Sequence, residues 1–288
     1  MPTIAILAGK GDLPLVAAKA ARNRGYRVVV VGVLGEVAPA LAQTAHASYP
    51  MPLGQWQLII DVLKKEKVQD AYLVGGVSKG LLFGRLQLDE RTQRLLAGLG
   101  EKNDNAVIEA FVNDLAQEGI TVRPQTDLME EIMPGPGVLT SRQPTGRNWS
   151  DIRYGWRIAK AIAGLDIGQT VVVKEGAILA VEAIDGTDAT ISRGGRLAQG
   201  GGVVVKVAKP AQDLRFDLPT IGLGTLETAV KAGIEAIAME ANKTLVMDKD
   251  ALIQRADEVG VALVLVDERD LSPTCEQSSG GSGRGRDN

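Results

Sequence analysis

The chain has 288 residues, is 45% hydrophobic and 23% charged, and balances 32 Lys and Arg against 35 Asp and Glu, a net charge of −3. Those numbers describe a folded chain long enough for two medium domains; they exclude wholesale disorder and argue against nucleic-acid binding through counterion release. One histidine, His46, and one cysteine, Cys275, exclude a Cys/His zinc centre and an internal disulfide, and any histidine-based triad would have to run through His46. Aromatics are 3% of the residues, so the core must be aliphatic. No apolar run is long enough to cross a bilayer and the first residues lack a signal-peptide pattern, which gives a cytoplasmic expectation.

In chain order, residues 3–8 read as a buried strand that enters Gly9-Lys10-Gly11-Asp12-Leu13-Pro14 and then a helix over 16–22 ended by Gly25. Residues 27–33 are an apolar run of the kind found in parallel strands covered on both faces. A helix follows over 56–67, with Ile59, Ile60 and Leu63 facing inward, then a strand over 70–74 that closes on Gly75-Gly76-Val77-Ser78-Lys79-Gly80. The spacing of Val107, Ile108, Phe111 and Leu115 predicts a helix over 104–118, stopped by Gly119, and residues 120–122 add a strand. Strands alternating with helices predict an α/β fold whose N-terminal domain, residues 1–133, is a doubly wound, Rossmann-like parallel sheet.

Two Pro-Gly pairs at Met133-Pro134-Gly135-Pro136-Gly137 mark the boundary. Beyond it a mixed α/β C-terminal domain is expected over 138–270. Its elements are a helix over 151–163, a hairpin of 170–174 and 177–183 turning at Glu175-Gly176, strands over 203–207, 245–247 and 262–266, and helices over 225–232 and 250–259. The Arg153, Arg157 and Lys160 positions read as a solvated helix face. Residues 271–288, rich in Gly, Ser and Arg, read as a disordered tail.

The candidate chemistry lies in the turns. Gly9, Lys10 and Gly11 precede a helix, where glycine lets a phosphate approach backbone N–H groups, although Pro14 stands where the dinucleotide fingerprint wants its third glycine. Gly75 and Gly76, followed by Lys79, make a second such junction on what would be the same sheet edge. Glu182, Asp185, Gly186, Thr187 and Asp188 form the densest acidic stretch after a buried strand; this is either a hard-metal or water-positioning site or an ordinary Asp-Gly turn between two strands. In Asp213-Leu214-Arg215-Phe216-Asp217-Leu218-Pro219, Arg215 suits a phosphate and Asp217 a metal or water; the alternative is a simple Arg215–Asp217 surface pair.

Taken together, residues 6–14, 173–176, 181–188 and 215–222 resemble the UDP-2,3-diacylglucosamine pyrophosphatases of lipid A biosynthesis, the family unrelated to the calcineurin-like phosphoesterases. The resemblance spans roughly residues 1 to 270, with Lys10 at a place where glycine is expected. It implies a Mg²⁺-dependent hydrolase of two α/β domains, with the substrate UDP-2,3-diacylglucosamine bound in a chamber between them and split to UMP and 2,3-diacylglucosamine 1-phosphate (lipid X). It also implies a homodimer, with peripheral contact to the inner membrane. Its essential aspartate maps to Asp217, as metal ligand or water-orienting base; Asp188 and Glu182 would complete the metal site and Arg215 would grip a phosphate. Gly9, Lys10, Gly11, Gly75, Gly76, Lys79, Gly186 and Thr187 would bind substrate, and the acyl chains would lie against the aliphatic C-terminal domain. Two other readings stay open: a nicotinamide or flavin oxidoreductase with Glu36 on the ribose, and a non-catalytic nucleotide-sugar sensor.

Overall fold

A computed structural model describes residues 1–77, 87–99 and 104–271. Ser78, Lys79 and Gly80, and the tail from residue 272, lie outside the described residues.

The N-terminal half is a five-stranded, all-parallel sheet of order β3-β2-β1-β4-β5: β1 Thr3–Ala8, β2 Arg27–Gly32, β3 Ala47–Pro50, β4 Asp70–Val74 and β5 Thr121–Val122. Its strands are apolar at nearly every position because both faces are covered. Within β1, Ala5 and Leu7 join one core with Trp56, Ile59, Ile60 and Leu63 of α3 (Trp56–Lys65) and Phe111 and Leu115 of α5 (Asp104–Gln117). Ile4, Ile6 and Ala8 join the opposite core with Ala17, Ala18 and Ala21 of α1 (Leu13–Asn23). Between them in the chain come the short α2 (Pro39–Thr44) and α4 (Glu90–Ala97), the latter capped by Asp89, whose carboxylate accepts from the Thr92 N–H, and one turn of helix, α6 (Thr126–Met129), follows α5. His46 is exposed just before β3, and its Nδ1 accepts the Val28 N–H at 3.0 Å, a structural role.

The C-terminal half is a six-stranded mixed sheet of order β6-β13-β11-β9-β7-β8. Here β9 (Gly202–Lys206), β11 (Ile234–Glu240) and β13 (Ala262–Val266) run parallel, while β6 (Gly137–Val138), β7 (Thr170–Lys174) and β8 (Ala177–Val181) are antiparallel to their neighbours. One face is covered by a single long helix, α7 (Gly146–Gly164), which starts at a Thr145–Asn148 capping box and packs Ile152, Trp156, Ala159 and Ala163 onto the sheet. The helix begins five residues earlier than the apolar spacing indicated, since its first turn is fixed by the cap and not by core contacts. Lys160 leaves the expected solvated face: its ammonium pairs with buried Glu240 at 2.5 Å.

The other face carries α8 (Thr187–Ala198), α9 (Leu223–Lys231) and α10 (Lys249–Val259). The acidic segment 182–188 is therefore a strand-to-helix turn, not a link between two strands. A two-stranded parallel ribbon, β10 (Thr220–Ile221) and β12 (Leu245–Val246), flanks this sheet. Just before β10, Leu218 reaches into the N-terminal half: it is buried in one core with Ile4, Ile6, Ala17 and Tyr72, joined there by Leu245.

Candidate active site between the two halves

In a sheet of this order the chain departs from β1 in opposite directions on its two sides, and ligands gather at the carboxyl ends of the strands beside that point. A cavity of about 540 Å³ lies there. Its lining divides by chemistry. The N-terminal half contributes Leu7, Val33, Leu53, Trp56, Leu73 and Phe111 among other apolar side chains. Against them the C-terminal half sets Gln169, Glu182, Thr187, Lys206, Lys209 and Asp217. The C-terminal half also lends Ile167, Phe216, Leu218 and Pro219 to the lining, so apolar surface comes from both halves while the charges come from this one.

The apolar wall is fixed by a polar anchor behind it. The Trp56 indole N–H donates to Asp114 Oδ2 at 2.7 Å, Arg91 pairs with the same carboxylate at 2.8 Å, and the Phe111 ring meets Trp56 edge-on with centroids 4.6 Å apart.

At the charged end, Glu182 follows β8 directly. Gly168 is what lets it sit there, since a Cβ on Gly168 would stand 2.2 Å from the Glu182 carbonyl oxygen. Glu182 Oε2 accepts from the Gln169 backbone N–H at 3.1 Å, and Oε1 accepts from the Thr187 hydroxyl at 2.7 Å. That hydroxyl in turn accepts from Lys206 Nζ at 3.0 Å. Burial drives the Lys206 amine below its ordinary value, opposed by the charges of Glu182, Asp188 and Asp217.

Asp217 occupies a left-handed backbone position, φ 58°, with its side chain 51% exposed toward the cavity. Lys209 Nζ pairs with its Oδ2 at 3.0 Å and with Asp166 at 2.7 Å, and Gln169 Nε2 donates to the same Oδ2 at 3.3 Å. Burial opposes the Lys209 charge, but the hydrogen bonds and charges of Asp166 and Asp217 outweigh it and hold the pKa above the ordinary value.

The residues proposed from the sequence thus fall into groups. Asp217, Glu182, Thr187, Gly9, Gly75 and Gly76 line this cavity. Asp188 is exposed on the first turn of α8 and is not part of the lining. Arg215 is not either: its guanidinium forks onto Asp213, at 3.0 and 2.6 Å, so its phosphate-binding edge is already taken. Gly186 is the left-handed N-cap of α8, φ 83°, and stands outside the lining. Lys10 and Gly11 face a second cavity that also includes Glu36, and Lys79 is outside the described residues.

The glycine junctions do different work from the cradle expected of them. Lys10 and Gly76 exchange backbone bonds at 2.8 and 3.0 Å, and the Gly9 N–H donates to the Val74 carbonyl at 2.8 Å. A Cβ on Gly9 would meet the Gly76 carbonyl oxygen at 2.5 Å. These glycines let two turns lock together, and the amides in those bonds are committed. The expected trio of Asp217, Asp188 and Glu182 is corrected as a metal cage: among the described residues no group of three or more His, Cys, Asp or Glu is placed to hold a metal ion. Lys206, Lys209 and Gln169 were missed. The signal for Lys206 was present as a lone charge inside the unbroken apolar run Val203-Val204-Val205-Lys206-Val207-Ala208.

The model of the LpxI N-terminal domain matches residues 3–132, and that of the LpxI C-terminal domain matches 135–264. The chain belongs to the LpxI family. The UDP-2,3-diacylglucosamine pyrophosphatase LpxI of Caulobacter vibrioides is 32% identical over 281 residues, covering 94% of this chain and 99% of that protein. A shorter similarity, 30% identical over 137 residues, joins 46% of the chain to 24% of the bifunctional purine biosynthesis protein PurH of Bacillus cytotoxicus. Among solved structures, the N5-carboxyaminoimidazole ribonucleotide synthetase of Thermotoga maritima aligns over 61% of this chain and 34% of its own, at 16% identity and a TM-score of 0.27, a likeness too low to carry a functional argument.

Proposed function

We propose that this LpxI-family chain hydrolyses the pyrophosphate bond of UDP-2,3-diacylglucosamine, releasing UMP and 2,3-diacylglucosamine 1-phosphate for lipid A biosynthesis. One observation carries the reading beside family membership: a single cavity joins a lysine- and carboxylate-bearing end to an apolar wall. A nucleotide sugar with two acyl chains has the same two-ended chemistry. Cleaving a diphosphate with water requires charge neutralisation on phosphoryl oxygens and a placed nucleophile, and needs neither His nor Cys.

Within this reading the enzyme uses Mg²⁺. The donors fit an ion shared with the substrate, since magnesium is commonly held by one or two carboxylates together with phosphate oxygens. Asp217 and Glu182 would hold it, and Gln169 Oε1, a buried oxygen without a hydrogen-bond partner, is a further hard donor at the same place. When bound, the ion supplies neutralisation of the diphosphate and a site for the hydrolytic water. The chain's own part is positional. Lys209 and Gln169 both hold Asp217 through Oδ2, which fixes the carboxylate that would hold the ion. The N-terminal apolar wall keeps bulk water from the acyl chains.

The dimer, a cytoplasmic location and peripheral contact with the inner membrane belong to the same proposal. No helix among the described residues is long and apolar enough to cross a membrane.

Release of UMP from UDP-2,3-diacylglucosamine tests the reading. Asp217→Ala is expected to lose roughly 10²–10³-fold or more in kcat with its melting temperature nearly unchanged, and chelation should silence the wild type reversibly. Wild-type turnover by Asp217→Ala, or turnover indifferent to chelator, would remove the aspartate or the metal respectively.

A further inference from the structure

We propose that Lys206 is a catalytic residue of this site: its sequestered ammonium grips the diphosphate oxygens of the substrate, with Thr187 as the residue that aims it. The assignment rests on the substrate reading above and adds the group that meets the reacting anion.

Lys206 ends β9 with only 9% of its surface exposed, yet it lines the cavity. An ammonium has three donors, and the hydrogen-bond partner found for this one is the neutral hydroxyl of Thr187. The other sequestered lysines of this half are differently supplied. Lys160 donates to the Glu240 carboxylate and the Ala208 carbonyl, and Lys174 donates to the carbonyls of Ala198 and Gly200. Lys209 is held between two carboxylates. A buried cation without a contacting carboxylate is costly to the fold, and an anion entering the cavity would complete its coordination. Burial lowers the Lys206 amine, and the charges of Glu182, Asp188 and Asp217 oppose that without touching it, a balance that an entering anion would tip toward the ammonium. Thr187 gives its own proton to Glu182, so its oxygen can only accept, and the Lys206 ammonium is held in one direction. In the reaction Lys206 keeps its proton. It balances the negative charge on the diphosphate while the water oxygen bonds to phosphorus and releases a proton to solvent, and the bridging P–O bond breaks with its electrons leaving on the departing phosphate.

Two measurements test this. In UMP release with saturating Mg²⁺, Lys206→Met, which keeps the stem and removes the charge, is expected to lower kcat by roughly 10²–10³-fold while melting no lower than wild type. Thr187→Val should lower kcat without a matching loss of stability, and Thr187→Ser should recover most of it. Separately, calorimetric binding of inorganic pyrophosphate should weaken at least about tenfold in Lys206→Met, as expected for loss of a charge-assisted contact. A Lys206→Met enzyme of near wild-type kcat, or equal pyrophosphate affinity in the two proteins, overturns the assignment. Absence of UMP release by the wild type speaks against the substrate reading instead, and the pyrophosphate comparison still decides the role of Lys206.

Discussion

Asp213 and Arg215 show how a charged pair can serve a site without entering it. Arg215 closes both fork nitrogens on Asp213, lies over the Phe216 ring, and so stiffens the two residues that precede Asp217. Burial alone would push the Asp213 carboxyl up, but the Arg215 hydrogen bonds and charge prevail and hold it below its ordinary 3.8. A carboxyl with a lowered folded value stabilises fully above the unfolded value, and that contribution is lost as pH falls through the lower folded one. Asp213→Asn is therefore expected to cost about 1–2 kcal/mol at neutral pH, with the gap to wild type closing as the solution is taken below pH 3.8. Thermal melts across that range check it; a constant gap at all pH values would show that the pair contributes nothing electrostatic. The same residue explains a misreading of the sequence. From sequence Arg215 can serve Asp217 or a phosphate, because an i, i+2 neighbour on either side is equally near, and only the local turn decides that Asp213 receives it.

At the scale of elements, Gly168 is a position where the backbone must come close. Its absent side chain admits the Glu182 carbonyl, and so sets where β8 ends and where the Glu182 carboxylate starts. Gly168→Ala should displace that strand end, lowering UMP release about tenfold or more and destabilising by about 1–3 kcal/mol through overpacking. Paired rate and denaturation measurements would settle it, and an unchanged rate would mean that Glu182 is not placed by this approach. Glycines also explain which elements could be read from the sequence. Strands β1, β4, β7 and β13 were legible to the residue because continuous apolar runs bounded by turns have few other interpretations. Helix α8 was not, because Gly194 and Gly195 interrupt its pattern; each is there for a close approach, a Cβ on Gly194 falling 2.4 Å from Val172 and one on Gly195 falling 2.3 Å from the Ala232 carbonyl oxygen. The central strand β11 was missed for the opposite reason: Ile-Glu-Ala-Ile-Ala-Met-Glu is built largely from good helix formers, and tertiary pairing with β9 and β13 overrides that preference. Of the site, Asp217, Glu182 and Thr187 were legible through motif and turn chemistry. Lys209 was not, since a lysine near a strand end is ordinarily a surface residue, and Lys206 showed only as a lone charge within an apolar run.

For the molecule as a whole, two leucines of the C-terminal half, Leu218 and Leu245, enter the N-terminal core, and the first stands beside the site. Leu218 belongs by sequence to the C-terminal half and by burial to the N-terminal core, one residue after Asp217. Leu218→Ala should cost about 2–5 kcal/mol and lower activity more than an equally destabilising change in a distant core, because it frees the segment that carries the aspartate. Comparing its kcat with that of Leu263→Ala, deep in the other core, tests the claim; equal losses at equal stability would refute it. The placement also ties the carboxylate to both halves. Asp217 stands between Leu218, seated in the N-terminal core, and its ion-pair partner Lys209 of the C-terminal half, and it lines one cavity with Lys206 and Glu182. The segment that presents the aspartate is thus anchored on both sides of the cleft, which fixes the carboxylate by the fold of both halves and not by its own loop alone.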